Sequence, residues 1–308
     1  MTFRSTTSYL RVLMFPGQGG QRRGMGSELL ENPSSLIDEA DDILDYSVRE
    51  LCLSDPHGAL EDSRYAQPAV YVTNALAYRN YLKHFAQPDV LIGHSLGEYN
   101  ALEAAGVLDF ATGLRLVQTR AQVTTGRPGA MLAVVGLTIV EINSVLEQAE
   151  LSEIEPANLN SRFQSVLGGP VDQINTARSA LQSAGAKLTS RLRITGAFHT
   201  RHMRGAANEF RIAMPNFNAC PGKTPVIANL TARPYQNLDV RDALVAHLTH
   251  PVLWQHSIEE IIDRWGRPEL PGDGVLFDEI GSEQVLTRLV THIRRDRATS
   301  IQHPYTET

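Results

Sequence analysis

The 308-residue chain has few cysteines and no long apolar run. Cys52 and Cys220 are its two cysteines, too few for a disulfide framework or a cysteine-rich zinc site. We therefore expect a reducing, cytoplasmic setting. The apolar run near the start, residues 12–15, is too short for a signal peptide, and no stretch approaches the roughly 20 residues that cross a bilayer. These absences argue against a secreted protein and against a membrane protein.

The chain also lacks an excess of basic residues. Its formal net charge is -6, whereas a protein that binds nucleic acid needs a basic surface to displace counterions. We therefore expect no nucleic-acid partner. Hydrophobic residues make up 42% and charged residues 20%, as in ordinary globular proteins. The length suits one large domain or two modest ones, with a core and a cleft.

Short apolar runs alternate with helical patterns along the chain. Strands are predicted at residues 10–15, 90–92, 225–229 and 275–280. Helices are predicted at 34–53, 67–84, 96–105, 110–125, 200–213, 239–248 and 256–265, with a last helix from 283. Asp109 is expected to cap the helix that follows it, and Pro68 is expected in the first turn of its helix. This alternation indicates an α/β protein.

The middle of the chain has a different pattern. Strands are predicted at 130–135, 154–159, 163–167 and 187–194, with helices at 138–149 and from Pro170 to about 184. The order β-α-β-β-α-β is that of the ferredoxin-like unit. We therefore expect a small ferredoxin-like subdomain at 128–195, inserted into a large subdomain formed by 1–127 and 196–308.

Ser95 is the predicted nucleophile. Gly93-x-Ser95-x-Gly97 follows the predicted strand 90–92 directly, which is the pattern of a nucleophile elbow. A serine on such a sharp strand-to-helix turn has a crowded backbone, and the glycines leave room for it. The hydroxyl then projects at a helix N-terminus, where backbone N–H groups favour negative charge. A chance match is the alternative, and the strand before it and the helix after it argue against chance.

A serine nucleophile needs a base within hydrogen-bond reach. Of the ten histidines, His199 is the best candidate, because it follows small residues where the insert ends and the chain returns to the large subdomain. His94 lies beside the serine in sequence, and its ring would point elsewhere. The late acids Asp273, Asp278 and Glu279 are candidates for a third, orienting group. A serine–histidine dyad held by a backbone carbonyl explains the sequence equally well.

Two further features suit acyl transfer, although each has a plain alternative. The N–H groups of Leu96 and of the glycine-rich turn at Gln18 could stabilise a developing oxyanion; the turn could equally be an ordinary strand end. Leu116, Arg120 and Val123 share one apolar helix stripe. A buried guanidinium there would fit a carboxylate; an internal salt bridge, or a side chain that reaches water, is the alternative.

At these residues the chain resembles the malonyl-CoA:acyl-carrier-protein transacylase family, and within it the free-standing acyltransferases that serve polyketide synthases in trans. The resemblance covers nearly the whole chain, in family order. It rests on Arg120 and on these segments: FPGQG at 15–19, QPA at 67–69, GHSLGEYNAL at 93–102, ANLNS at 157–161, GAFH at 196–199, NLTARP at 229–234, EIG at 279–281 and VLT at 285–287.

The resemblance implies an α/β-hydrolase-like core, with a mostly parallel sheet, that carries the ferredoxin-like insert. It also implies roles: Ser95 as nucleophile, His199 as base, and the N–H groups of Gln18 and Leu96 as the oxyanion hole. Arg120 would pair the free carboxylate of the acyl unit, and Gln67 would help to order the site. A backbone carbonyl from the stretch before Phe277 would orient the histidine.

The implied reaction moves malonyl from malonyl-CoA to the phosphopantetheine thiol of an acyl carrier protein by a ping-pong acyl-serine mechanism. No permanently bound cofactor and no metal are expected. Leu96 and Phe198 accompany malonyl preference in related acyltransferases, and a bulky Phe198 leaves little room for an α-methyl group. Relatives usually have methionine four positions after the arginine; Thr124 stands there and leaves the acyl group open.

Three other functions are alternatives to malonyl transfer. An acyl hydrolase would use the same serine and histidine without needing Arg120. A carrier-to-carrier transferase for a larger acyl group would be permitted by Thr124. A silent docking subunit is disfavoured by the intact Ser95, His199 and Arg120.

For the carrier protein we expect a basic docking patch. Its residues would be Arg22, Arg23, Arg191, Arg193, Arg201 and Arg204. Scattered solvated arginines are the alternative.

Overall fold

The computed structural model describes residues 9–302. Its strands are β1 Leu10–Phe15, β2 Val90–Gly93, β3 Ala130–Val135, β4 Glu155–Ser161, β5 Gln164–Gly169, β6 Leu188–Arg191, β7 Val226–Ala228, β8 Arg233–Pro234 and β9 Val275–Glu279. Its α-helices are α1 Ser27–Leu30, α2 Ser35–Leu44, α3 Val48–Ser54, α4 Ser63–His84, α5 Gly97–Ala104, α6 Phe110–Thr124, α7 Ile139–Gln148, α8 Val171–Ser183, α9 Arg204–Ala213, α10 Val240–His247, α11 Trp254–Trp265 and α12 Val285–Gln302.

The larger sheet has the strand order β8-β7-β2-β1-β9. Strands β7, β2, β1 and β9 are parallel, and the short β8 is antiparallel to β7. Side chains of β1 alternate between two cores, as the period of a strand requires. Leu13 and Phe15 pack with helices on one face, and Val12 and Met14 pack with α11 and α12 on the other.

The smaller sheet has the order β4-β5-β3-β6 with every neighbouring pair antiparallel. Helices α7 and α8 cover one face, around Leu132, Ile142 and Ile174. This is the ferredoxin-like arrangement that the order of elements predicts. The α/β class with a mostly parallel core and an inserted ferredoxin-like unit is thus confirmed. The limits 128 and 195 remain our proposal for where the small subdomain begins and ends.

Backbone hydrogen bonds join the smaller sheet to the large subdomain. Asn158 on β4 forms an isolated parallel bridge with Val252, which lies just before α11. The N–H of Leu159 donates to the carbonyl of Val252 at 2.9 Å, and the N–H of Val252 donates to the carbonyl of Ala157 at 2.9 Å. The insert is therefore held to the large subdomain by main-chain contacts as well as by side chains.

Most predicted elements are present, and several limits differ. Asp109 caps α6 as predicted, because its side chain accepts from the N–H of Thr112. The predicted helix 34–53 is two helices, since Asp45 takes a left-handed conformation and Ser47 caps α3. The last predicted strand of the insert, 187–194, is only Leu188–Arg191.

The placement of Pro68 in a first helical turn is wrong. Asp62 caps α4 by accepting from the N–H of Arg64, so the helix begins at Ser63 and Pro68 lies inside it. Proline supplies no N–H for the carbonyl four residues before it. The start of α4 is therefore set by the capping residue Asp62 and not by Pro68. Within residues 9–302, no helix is long and apolar enough to span a membrane.

Candidate active site

The carboxyl ends of three adjacent parallel strands meet at one edge of the large sheet. Gln18 follows β1, Ser95 follows β2 and Asn229 follows β7. Open α/β sheets bind ligands at this edge, because the loops there converge. The site is built from these loops, from α4 and α6, and from the chain that returns from the insert.

Ser95 lies on a strained strand-to-helix turn, with a φ of 52°. The turn demands glycine on both sides. A Cβ on Gly93 would lie 2.0 Å from the backbone of Gly97, and a Cβ on Gly97 would lie 2.1 Å from the carbonyl oxygen of Phe15. No real Cβ can approach so closely, so the spacing Gly93-x-Ser95-x-Gly97 is a packing requirement.

His199 contacts the serine directly. Its Nε2 lies 2.7 Å from the Ser95 Oγ, and the residue is buried with a φ of 62°. Its Nδ1 lies 2.8 Å from the carbonyl oxygen of His247, which fixes the tautomer with Nδ1–H as donor and Nε2 as acceptor toward the serine. The serine and the histidine that the sequence analysis singled out are therefore in direct contact.

The predicted source of the orienting carbonyl is wrong. It is His247 at the end of α10, and not a residue in the stretch before Phe277. The three late acids are also occupied elsewhere. Asp278 pairs with Arg11, the Glu279 Oε2 accepts from the N–H of Thr287, and Asp273 lies 4.0 Å from Arg294. The third acid therefore does not come from this segment.

The surroundings of His199 keep it neutral. Burial lowers the pKa of its imidazole well below the ordinary 6.5, and the nearby His247 and Arg120 lower it further. A neutral imidazole is the form that can accept a proton from a serine hydroxyl. The site thus holds a ready base next to a hydroxyl.

Arg120 is a buried cation with no carboxylate partner in the part of the chain that the structure describes. It is 4% exposed. Its NH1 donates to Gln67 Oε1 at 2.5 Å, and its NH2 lies 3.4 Å from the Ser95 Oγ. Burial lowers the pKa of Arg120, yet a guanidinium stays charged in proteins. The internal salt bridge considered for Arg120 is absent among residues 9–302.

Two neighbours complete the wall near Arg120. Phe198 is buried, and the Arg120 guanidinium lies 5.8 Å from its ring centroid. Thr124 is also buried, one turn after Arg120, and its hydroxyl donates to the carbonyl of Arg120 at 2.7 Å. The Thr124 hydroxyl is therefore already bonded to its own helix.

The glycine-rich turn packs directly on the elbow. A Cβ on Gly17 would lie 2.5 Å from the carbonyl oxygen of His94 and 3.5 Å from the backbone nitrogen of Leu96. This close approach brings the turn that carries Gln18 beside the helix start at Leu96. The Gln18 side chain donates to the Ser63 hydroxyl at 3.0 Å, which anchors the turn to α4.

His94 was expected to point away from the serine, and its ring contacts the insert. Its Nε2 lies 2.9 Å from Asn160 Oδ1 and 3.4 Å from Asn158 Nδ2. Its ring lies 5.3 Å from that of Trp254. Desolvation lowers the pKa of His94 to about 4, so this ring is neutral and links the elbow to β4.

Sequence reasoning missed a group of polar residues behind the serine. Asn229 accepts the Ser95 N–H on Oδ1 at 2.7 Å and donates from Nδ2 to the Gly93 carbonyl at 2.6 Å. Glu98 and His247 lie behind it and were assigned no role. Asn229 and Glu98 belong to motif segments, so a search for polar residues in those segments would have found these two; nothing in the sequence marks His247.

Comparison with known proteins agrees with this geometry. The family model for the acyl transferase domain matches residues 12–265. The Bacillus velezensis protein named polyketide biosynthesis malonyl CoA-acyl carrier protein transacylase BaeC is 38% identical over 290 residues, which cover 93% of this chain and 98% of that protein.

Solved structures give the same result. Malonyl CoA-acyl carrier protein transacylase from Burkholderia pseudomallei matches with a TM-score of 0.88 at 40% identity, covering 94% of this chain and 99% of that one. The malonyl-transacylase in complex with a type II PKS acyl-carrier protein (PlMCAT:AntF, holo) matches with a TM-score of 0.84 at 30% identity, covering 93% of each chain.

A serine on a strand-to-helix turn, with a neutral histidine in hydrogen-bond contact, is the arrangement of nucleophilic acyl-transfer enzymes. With the match over residues 12–265, the conclusion is specific. The chain belongs to the acyl transferase family.

The packing of the elbow generates the first prediction. Gly93→Ala should lower the free energy of unfolding by about 3 kcal/mol or more, because its Cβ overlaps the backbone of Gly97. Gly205→Ala in α9 is the control, since its Cβ would meet only an Arg127 nitrogen at 3.5 Å; it should raise the stability by about 0.5–1 kcal/mol. Urea denaturation measures both, and equal stabilities would contradict the packing argument.

Proposed function

We propose that this chain transfers a malonyl unit from malonyl-CoA to the phosphopantetheine thiol of an acyl carrier protein. The observation that carries the proposal is the buried Arg120, without a carboxylate partner among residues 9–302, at 3.4 Å from a serine that lies 2.7 Å from His199. The relatives named as malonyl transacylases support the substrate and the carrier, and those named for polyketide biosynthesis support supply to a polyketide synthase in trans.

The first half-reaction acylates the serine. His199 Nε2 takes the Ser95 proton as the Oγ attacks the thioester carbonyl. The C–S bond then breaks, and the leaving sulfur of coenzyme A receives the proton from His199. In the intermediate the carbonyl oxygen carries negative charge, and the N–H groups of Gln18 and Leu96 are proposed to bind it.

The second half-reaction returns the enzyme to its starting state. The carrier's phosphopantetheine thiol gives its proton to His199, and its sulfur attacks the acyl-serine ester. The C–Oγ bond breaks, and Ser95 recovers its proton from His199. Only one acyl site is needed, because the two thiols enter in turn; this is the ping-pong order.

Arg120 is proposed to select the substrate class. Its fork fits the free carboxylate of malonyl in two parallel hydrogen bonds. Gln67 holds NH1 at 2.5 Å, and its own buried Nε2 has no hydrogen-bond partner in the described chain. An acyl carboxylate would give that amide an acceptor as well, so the site is polar where malonyl carries its charge.

Phe198 is proposed to limit the size of the acyl group. The buried Phe198 ring lies beside Arg120 and would collide with an α-methyl group next to the bound carboxylate, which favours malonyl over methylmalonyl. Thr124 uses its hydroxyl within α6, so it adds no free polar group to the wall.

A cavity of about 790 Å³ reaches the glycine-rich turn and His94 beside the serine, but Ser95, His199 and Arg120 do not line it; it is proposed to admit the pantetheine arm up to the elbow. Gln18, His94, Asn160 and Gln164 line it on the side of the elbow, and Leu286 and Leu289 of α12 also line it.

We propose that the enzyme works in the cytoplasm without a permanently bound cofactor. A hydrolase would not need the buried Arg120. A docking subunit without catalytic activity would need none of Ser95, His199 and Arg120.

The expected docking patch needs revision. Arg22 pairs with Glu283, and Arg201 pairs with Glu153 and Glu155. These two arginines are thus already neutralised by the protein. The other four are exposed and form no ion pair with another residue in the described range: Arg23, Arg191, Arg193 and Arg204.

Intact-protein mass spectrometry tests the acyl-serine and the arginine together. After brief incubation with malonyl-, methylmalonyl- and acetyl-CoA, the wild type should carry malonyl and Ser95→Ala should carry nothing. Arg120→Ala should slow malonyl loading about 100-fold, because it removes a charged pair worth about 3 kcal/mol. Arg115→Ala, an exposed arginine on the same helix, is the control and should load normally. An adduct on Ser95→Ala would contradict the proposal.

The depressed pKa of His199 sets the pH dependence of acylation. Because burial lowers that pKa well below 6.5, the neutral base persists as the pH falls through 6.5. Single-turnover rates with malonyl-CoA, from about pH 8 to about pH 5, should stay flat to below pH 6 and fall only there. A loss of half the rate at or above pH 6.5 would contradict the assignment of a buried neutral base.

Charge reversal tests the revised patch. Arg191→Glu and Arg193→Glu should each raise the KM for the carrier about threefold to tenfold, because like charges face an acidic partner. Acylation by malonyl-CoA should not change. Arg178→Glu, an exposed site on α8 of the same subdomain, is the matched control. Carrier kinetics equal to those of this control would remove the patch.

A further inference from the structure

A single buried carboxylate lies behind both members of the candidate pair. Glu98, in the first turn of α5, is 1% exposed. Its Oε1 accepts from the N–H of Asn229 at 2.9 Å and from the Tyr235 hydroxyl at 3.0 Å. Its Oε2 lies 2.8 Å from His247 Nδ1 but forms no hydrogen bond with a residue of the described range. No arginine or lysine in the described range pairs with it, so its surroundings are those of an acid held by neutral donors and one histidine.

One arm of this group leads to the serine. Glu98 holds the Asn229 backbone, and the Asn229 side chain bridges the Ser95 N–H and the Gly93 carbonyl. One amide side chain thus bonds two successive peptide groups, Gly93–His94 and His94–Ser95, at the turn where Ser95 has its positive φ. The position of that amide depends on Glu98.

The other arm leads to the base. Glu98 contacts the His247 ring, and the His247 carbonyl accepts from His199 Nδ1. The two imidazole rings lie with centroids 4.6 Å apart. The His247 side chain is 5% exposed, and its Nε2 has no hydrogen-bond partner within residues 9–302. Among those residues its ring nitrogens make one polar contact, the 2.8 Å approach of Nδ1 to Glu98 Oε2.

We propose that Glu98 and His247 are positioning residues of the acyl-transfer site, with Glu98 supplying the missing acid of the set through His247 instead of by direct contact with His199. When His199 takes the serine proton, a positive charge appears in a buried site next to Arg120. Glu98 reaches that site through its contact with His247, whose carbonyl accepts from His199 Nδ1. The role rests on Ser95 and His199 acting as proposed above.

A second buried glutamate on the same helix supplies a matched control. Glu103 is 8% exposed and forms a two-pronged ion pair with Arg79. None of its hydrogen bonds or ion pairs reaches Asn229, His247 or His199. Glu103→Gln removes the same charge from α5 as Glu98→Gln and leaves the two arms intact.

The experiment measures how fast a fluorophosphonate labels the serine. This reagent needs the nucleophile and its base but carries no carboxylate, so Arg120 and the malonyl specificity do not enter. Glu98→Gln should label about tenfold slower than Glu103→Gln, in line with the loss of an orienting acid that acts at one remove. In steady-state assays with malonyl-CoA, kcat should fall while KM stays unchanged, because the substrate contacts are intact.

A second pair of variants covers the case in which Glu98→Gln does not fold. His247→Leu keeps the backbone carbonyl and removes the ring nitrogen that lies 2.8 Å from Glu98; it should also label about tenfold slower. His247→Gln restores a polar side chain at this position and should recover to within about threefold of the wild type. Thermal melts show which variants are folded before rates are compared.

The outcomes separate the two proposals. Labelling of Glu98→Gln, or of His247→Leu, within about threefold of the Glu103→Gln rate overturns the positioning role. Labelling of Ser95→Ala overturns it as well, since the serine is then not the nucleophile. If malonyl-CoA fails to load the wild type while the probe still shows the dependence on Glu98 and His247, the substrate proposal falls and the positioning role stands.

Discussion

The site depends on backbone packed against backbone where β1 and β2 end. Gly17, Gly93 and Gly97 each occupy a position at which any Cβ would lie within 2.5 Å of another main-chain atom. Because these three segments are in contact, the Ser95 turn, the Gln18 turn and the start of α5 have one relative arrangement. The polar contacts of the site, from Asn229 to His199, are therefore made around backbone segments whose relative positions are fixed by direct main-chain packing.

The site also contains a buried charged group, Arg120, that no carboxylate among residues 9–302 neutralises. Arg120 is buried with only Gln67 and the serine hydroxyl for polar partners on its fork, an arrangement that costs stability. Glu98 is buried on the other side, among Asn229, Tyr235 and His247. Arg120 also helps to lower the pKa of His199, and a carboxylated substrate would balance the charge of Arg120. The stability that the fold gives up here is thus used to recognise and activate a ligand.

Local signals in the sequence predicted local structure well. The elbow at Ser95, the cap at Asp109 and the order of elements in the insert depend on neighbours a few residues away, and the structure agrees with them. The carbonyl that orients His199 could not be found this way, because His247 lies 48 positions along the chain at the end of an unremarkable helix. Two of the six arginines predicted for the docking patch, Arg22 and Arg201, were misjudged for the same reason, because their partners Glu283, Glu153 and Glu155 are revealed only by the tertiary fold.

The main-chain bridge between β4 and Val252 fixes one wall of the site. Asn160, which contacts His94, lies on the same strand, so the elbow and the insert are joined on this side by side-chain as well as main-chain contacts. An acyl group would therefore meet a wall that is tied to the elbow. Selection among acyl groups falls to the volume and charge of single side chains, and so a change of specificity needs few substitutions and no rearrangement of the backbone.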